Sequence, residues 1–401
     1  MRVILATVGT RGDVQPMLAL AKALVRRGHD PVLACPASFA PWVEAHDVAQ
    51  CDLGEDLHAS IAGTSAGPAR TPRGLKRHFT EQLTRQAPQL LAIARGADAI
   101  VTTGMAWTAP SVAEKLGIPA FVLLPSVAAL RSRFYPPPVL PWFGLPAWLN
   151  AALWALNDAA MNSTMGAPLN AARALLQLPP VARFADHLFV DTPVVLAADP
   201  ALLPVESAAQ LRPVGPLLLD DFDPLDEALD DWLARGDPPI YVGFGSMAGF
   251  HPERVGRLLA QALRGRRCIV SGSAALALAA GLPSERCFVV GDVAHPQLFS
   301  RVACVVHHGG AGTTTSALRA GVPQVLLPLL LDQHLHAHVL ARTGLAPRAP
   351  RMAKVTANAL RHAVRDAFAL SARRRRDAAD RIQCSDAGAA IVDILERAVG
   401  C

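Results

Sequence analysis

Apolar residues first gather in the run Val3 to Val8, short and continuous as a buried strand is. Val14, Met17, Leu18, Ala21, Leu24 and Val25 then recur at helical spacing along one face, and Gly28 ends the pattern. Pro31 to Cys35, Ala99 to Thr102 and Ala120 to Leu124 repeat the strand signal, with helical stretches between them. Strands alternating with helices predict a parallel sheet covered on both faces. The rhythm breaks at Leu211-Arg-Pro213-Val-Gly215-Pro216 and in the acidic stretch from Asp220 to Asp237, read as an interdomain linker. It restarts with Ile240-Tyr-Val-Gly243-Phe-Gly245-Ser246, a strand running into a Gly-rich turn, and a helical stretch from Pro252 to Leu263. Further strands follow at Cys268 to Ser271, Cys287 to Val290, Val302 to Val306 and Gln324 to Leu327. The pattern predicts an α/β protein of two Rossmann-like domains, residues 1–210 and 238–380, facing one another across a cleft. Residues 211–237 join them, and the helical end, 381–401, is placed to pack back on the first domain. In such sheets ligands sit beyond the carboxyl ends of the strands.

Composition narrows the class without changing this picture. A chain of 401 residues, 51% hydrophobic and 18% charged, is neither disordered nor short of core. The net charge of +5 is mostly arginine, and its densest cluster, Arg373 to Arg376, lies among Asp377, Asp380 and Asp386. A solvated helix face explains that cluster better than a nucleic-acid site. Seven cysteines, an odd number without a CxxC pair, read as reduced thiols in a cytoplasmic protein. The first apolar run is too short for a signal peptide, and no run of 18 apolar residues exists, so no transmembrane segment is expected. Peripheral contact with a membrane surface stays open, as does the choice between a monomer and a weak dimer.

The sharpest chemical signal is Val305-Val-His307-His308-Gly309-Gly310-Ala311-Gly312-Thr313-Thr314-Thr315. A strand ends at two histidines, glycines let the backbone approach a ligand, and a helix opens among hydroxyls. Free amides at a helix start make an anion site, and phosphate is its usual guest. Gly243-Phe-Gly245-Ser246-Met247 repeats the arrangement more weakly. In Pro323-Gln-Val-Leu-Leu-Pro328-Leu-Leu-Leu-Asp332-Gln333, the acid either caps the following helix or joins the amide in holding neighbouring sugar hydroxyls.

The spacing from His308-Gly-Gly310-Ala-Gly312-Thr313 to Asp332-Gln333 resembles the donor signature of inverting family 1 glycosyltransferases of the GT-B fold. The opening Gly9-Thr10-Arg11-Gly12-Asp13-Val14-Gln15-Pro16 is similar to the first loop of two branches of that family. One is the sterol glucosyltransferases; the other is the bacterial natural-product enzymes, including those of glycopeptide antibiotics. The likeness covers most of the chain, weakly over 52–95 and 126–210. It implies that His308 and the amides of Gly310, Ala311, Gly312 and Thr313 bind a diphosphate, with a hydroxyl from Ser246. Asp332 and Gln333 would hold the sugar, and Val293 would meet the base through its backbone. Thr10, Arg11 and Gly12 would border the donor, which is UDP-glucose first and a dTDP-sugar second. No tightly bound cofactor and no metal are implied. The acceptor would be a small lipophilic molecule, such as a natural product or, alternatively, a sterol or other lipid.

The resemblance also implies Asp13 as the catalytic base: many relatives carry a catalytic histidine in the first loop, none stands here between Met1 and Arg27, and in the glycopeptide branch an aspartate at the matching position is the proposed base. Its structural alternative is a helix cap. Pro16 prefers the first helical position, which would place the cap on Gln15 and leave Asp13 free in the loop. Three features draw attention without carrying chemistry. Asp221-Phe-Asp223 lies in the linker rather than at a strand end. His334, His336 and His338 lack a companion carboxylate for zinc. The Pro- and aromatic-rich stretch from Phe134 to Trp148 reads equally as an acceptor wall and as core. A dinucleotide oxidoreductase is disfavoured, since the first loop is Gly9-x-x-Gly12 and no acid follows the second strand. A sugar-nucleotide epimerase of the same fold and a silent sugar-nucleotide-binding protein remain competitors.

Overall fold

A computed structural model describes residues 1–54, 71–204, 211–219, 225–245, 251–291 and 293–400. Ser246, Asp221 and Asp223 lie outside the described residues. The first domain carries strands β1 (Arg2–Val8), β2 (Asp30–Cys35), β3 (Ala49–Asp52), β4 (Ala99–Gly104), β5 (Ala120–Leu124) and β6 (Val194–Leu196). They form one sheet in the order β3-β2-β1-β4-β5-β6, with every pairing parallel. Side chains alternate along β1 as a strand requires. Val3 and Leu5 pack with Met17, Leu20 and Leu24 of the helix Arg11–Arg26. Ile4 and Ala6 pack on the other face with Leu83, Ala87 and Leu90 of the helix Pro72–Ile93.

The second domain repeats the design with β7 (Ile240–Gly243), β8 (Cys268–Ser271), β9 (Cys287–Val290), β10 (Cys304–His307) and β11 (Gln324–Leu326). Its order is β11-β10-β7-β8-β9, again parallel throughout. Both sheets therefore switch direction between their central strands, and the loops leaving β1 and β10 fall where ligands bind in such folds.

Two strands, β3 and β6, were not expected, because Ala49–Asp52 has only a weak apolar pattern and Val194–Leu196 is three residues long. The stretch expected to be linker is divided between the domains. Val214 donates its amide to the Leu196 carbonyl at 2.9 Å, and Leu217 and Leu219 enter the first core. The helix Glu227–Ala234 buries Leu229 and Leu233 against Tyr241 and Ile269 of the second. An acidic surface hid this amphipathic helix, whose first-turn acids complement its dipole. The final helix, Ala387–Val399, crosses back and packs Ile391, Val392 and Leu395 against the first domain. Gly388 makes that approach close, since a Cβ there would lie 2.8 Å from the Ala23 Cβ. Among the described residues no helix is long and apolar enough to cross a membrane.

One helix belongs to both halves. In Asp332–Thr343, Leu335 and Val339 pack with Val122, Leu124, Tyr135 and Trp154 of the first domain. Ala337 and Leu340, on another face, pack with Leu318 and Leu326 of the second. His338 stacks on Phe143, with ring centroids 4.2 Å apart. The irregular Pro-rich stretch thus supplies part of the seam between the domains, while Tyr135 lies in the core.

Candidate functional site

The loop after β1 departs from the expectation at Pro16. The helix begins at Arg11 with Thr10 as its N-cap, and Pro16 lies inside it. Asp13 is the third helical residue. Its Oδ2 accepts from the Thr10 amide at 2.8 Å and from the Thr10 hydroxyl at 3.2 Å. An acid three residues after a threonine is a capping-box signal, and here it outweighs the preference of proline for a helix start. Contrary to the expectation that it stays free in the loop, Asp13 is therefore tied to the first turn of the helix. Both of these bonds fall on one carboxylate oxygen. Burial pushes the carboxyl above its ordinary value, with the Thr10 bonds pulling it down and the charge of Asp332 pushing it further up.

A cavity of about 370 Å³ opens at Asp13. Thr102, Trp107, Leu124 and Phe189 line it from the first domain, and Leu331 and Asp332 close it from the second. Pro138 is the contribution of the Pro-rich stretch. Apart from the two aspartates, its described lining is uncharged. At roughly 30 Å³ per water it holds about a dozen waters, the space of a compact ring system.

On the second domain, β10 delivers His307 and His308 to different tasks. His307 is fully buried; its Nδ1 accepts from the Gly309 amide at 3.1 Å, and its Nε2 lies 3.0 Å from Gln324 Oε1. Burial holds it neutral, down to about 3. His308 stands over Gly310, where a Cβ would come within 2.6 Å of its Nε2, and its buried Nδ1 makes no hydrogen bond of ordinary geometry to any described residue. Burial also lowers His308, against the pull of the Gly243 backbone and of Asp332. The helix Ala311–Arg319 starts here with Gly310 as N-cap, so its first amides have no intrahelical acceptor. Among the described residues nothing lies within 4 Å of a Cβ placed on Gly312 or Gly291, and one on Gly12 would meet only Thr10 Oγ1 at 3.5 Å. Glycine is disfavoured in helices by about 1 kcal/mol relative to alanine, and no contact among the described residues requires it at Gly312.

Asp332 is the first residue of its helix, and Leu331 rather than Asp332 occupies the cap position, at φ +54°. The capping alternative is thus not realised, and the acid is left to the cavity. Gln333 behaves differently. It is buried, and its Oε1 accepts from the amides of Leu329 at 2.9 Å and Leu330 at 3.2 Å, bracing the loop that carries Leu331 and Asp332. The Arg11 guanidinium lies over the Trp42 ring at 4.5 Å. Val293 is half-buried against the core of the second domain. Gly9, which the opening motif contains without a role, and Gly104, which no motif marks, both lie where an added Cβ would meet Asp13. His336, one of the three alternating histidines, reaches from one domain to the other, and no local pattern in the sequence marks it for that contact. Among the described residues no cluster of three metal-ligating side chains occurs.

Residues 3–130 match the glycosyltransferase family 28 N-terminal domain. Residues 269–390 match the C-terminal domain of the erythromycin biosynthesis protein CIII-like family. Over its full length the chain is 38% identical to glycosyltransferase GtfE of Amycolatopsis orientalis and covers 98% of it. Identity to the vancomycin aglycone glucosyltransferase of the same organism is 39%, over 86% of this chain and 84% of the relative. The solved structure of glycosyltransferase VinC in complex with dTDP has the same fold, with a TM-score of 0.69 at 20% identity and both chains covered in full.

Proposed function

This chain belongs to the GT-B glycosyltransferases of natural-product type, and from that premise we propose that it moves a hexose from a nucleotide diphosphate sugar to a hydroxyl of a lipophilic acceptor, with inversion and without a metal. The observation that carries this reading is the shared cavity, in which Asp13 of one domain and Asp332 of the other meet over an apolar floor.

The acceptor docks in that cavity with its hydroxyl at Asp13. Oδ2 is held by Thr10, which leaves Oδ1 to take the proton. The acceptor oxygen forms a bond to the anomeric carbon as the bond from that carbon to the diphosphate oxygen breaks on the opposite face. Negative charge then collects on the diphosphate, where the amides of Ala311, Gly312 and Thr313 and the His308 ring meet it. Asp332 accepts hydrogen bonds from the sugar hydroxyls, and Gln333 keeps the loop in the shape that presents it. Ser246 adds a hydroxyl to the diphosphate, and the Val293 backbone meets the base.

UDP-glucose is the favoured donor, in line with a close relative named as a glucosyltransferase; a dTDP-sugar is second, in line with the nucleotide bound to a structural neighbour. The cavity suits a phenol or compact polycyclic alcohol, whether alone or as one ring of a larger natural product. A sugar-nucleotide epimerase would share the diphosphate site but would have no use for an apolar cavity. Incubation with UDP- and dTDP-sugars and a panel of hydrophobic hydroxyl compounds should yield a product heavier by one hexose. Failure to bind either nucleotide, with no product from any pair, would remove the reading.

A further inference from the structure

His336 is completely buried within the helix Asp332–Thr343, which packs on both domains. Its Nδ1 lies 2.8 Å from the Gly309 carbonyl. A carbonyl only accepts, so Nδ1 carries a hydrogen and donates it there. The other ring nitrogen, Nε2, lies 3.0 Å from Ser126 Oγ. The same Oγ accepts from the Ala128 amide at 3.3 Å, so the hydroxyl proton is available to the ring.

The two partners of this ring sit in different halves of the proposed reaction site. Ser126 follows β5 and lines the acceptor cavity. Gly309 opens the diphosphate loop in a left-handed conformation, at φ +96°. Its amide is already held by His307, so the contact from His336 fixes both polar groups of that residue. A trans peptide points its carbonyl and its amide hydrogen in opposite directions, and anchoring the Gly309 carbonyl therefore sets the direction of the Gly310 amide. Asp332 begins the same helix one turn earlier, with Oδ2 3.9 Å from Nε2.

We propose that His336 is a positioning residue that joins the acceptor wall to the diphosphate loop through Ser126 and Gly309, so that the two half-sites close in register. It touches neither substrate. The proposal rests on the transferase reading above and adds to it a single buried coupling between the domains.

The test is a double-mutant cycle on the full chain with Ser126→Ala and His336→Leu. It is read by calorimetric binding of UDP and of dTDP, and by turnover of UDP-glucose and dTDP-glucose with umbelliferone as a model phenol. Ser126→Ala should leave nucleotide affinity within about twofold and lower kcat roughly tenfold, the effect of one lost hydrogen bond. His336→Leu should weaken nucleotide binding roughly tenfold as well, because the Gly309 carbonyl is released. In the leucine background, Ser126→Ala should have no further effect. A Ser126→Ala effect of equal size in both backgrounds would show that the hydroxyl acts directly on the acceptor, and would overturn the proposal. Unchanged kcat in Ser126→Ala alone overturns it too, so the proposal stays testable if the leucine variant does not fold. If the unaltered protein binds neither nucleotide and glycosylates nothing, the transferase reading fails, and this inference fails with it.

Discussion

The Asp13 carboxylate fills the space that a side chain on Gly9 would need, and a Cβ there would overlap Oδ2. Gly104 limits it from the next strand, where a Cβ would lie 3.4 Å from the Asp13 carboxyl carbon and 2.6 Å from the Val8 carbonyl. A carboxylate held by two glycines and one threonine has its position set before any substrate arrives.

That arrangement lets the cap made by Asp13 be tested apart from the base proposed for it. Asp13→Asn keeps an oxygen for the Thr10 amide and should melt no lower than the native chain, yet lose transfer with UDP binding intact. Asp13→Ala should lose transfer and also about 1 kcal/mol of stability with the cap. Thermal melts alongside product formation check both, and full activity in the asparagine variant would leave Asp13 as a cap alone.

Activity should fall on the acid side through the raised pKa of Asp13, tenfold per pH unit below it, because the protonated acid cannot accept the acceptor proton. The stability sign is the opposite of the usual aspartate case. With its folded pKa raised, Asp13 contributes stability fully present below its unfolded pKa and lost as pH rises through the folded one. A kcat/KM profile on the unaltered protein, and the difference in melting between Asp13→Asn and the native chain at low and neutral pH, read these two effects.

His308→Ala should weaken UDP or dTDP binding roughly 10- to 100-fold, the range of a hydrogen bond to a charged group, and slow turnover with it. In the proposed mechanism the amides and this ring meet the leaving charge, so a chelator such as EDTA should leave the rate unchanged. Calorimetry and a rate assay with and without chelator decide both points.

Gly312→Ala should stabilise the helix by up to about 1 kcal/mol, since the position is open and helical, while reducing nucleotide affinity by intruding on the diphosphate. Improved melting with undiminished UDP binding would show that the diphosphate lies elsewhere.

Gly104→Ala should destabilise by more than about 1 kcal/mol, because φ is +61° and the new Cβ meets the Val8 carbonyl. Chemical denaturation measures it. Any soluble fraction should also transfer poorly, since the Asp13 carboxyl must shift.

The amino-acid sequence alone determined the repeating strands and helices of both domains, the glycine-rich turn after β10 and the presence of an acid in the first loop. These are written in short-range patterns: the period of apolar residues, the glycines that permit a turn and the hydroxyls and acids that open a helix. It left Asp13 between base and cap, because the local preferences of Pro16 and of the Thr10–Asp13 pair pointed to different helix starts. Tertiary structure settled that start and showed that one residue can cap with one oxygen and line a cavity with the same group. It alone decided that Asp13 meets Asp332, that Gln333 turns inward to its own loop and that His336 faces Ser126. Those meetings depend on how the apolar faces of the shared helix Asp332–Thr343 pack into two separate cores, and residues 210 positions apart, as Ser126 and His336 are, leave no periodic trace of their contact.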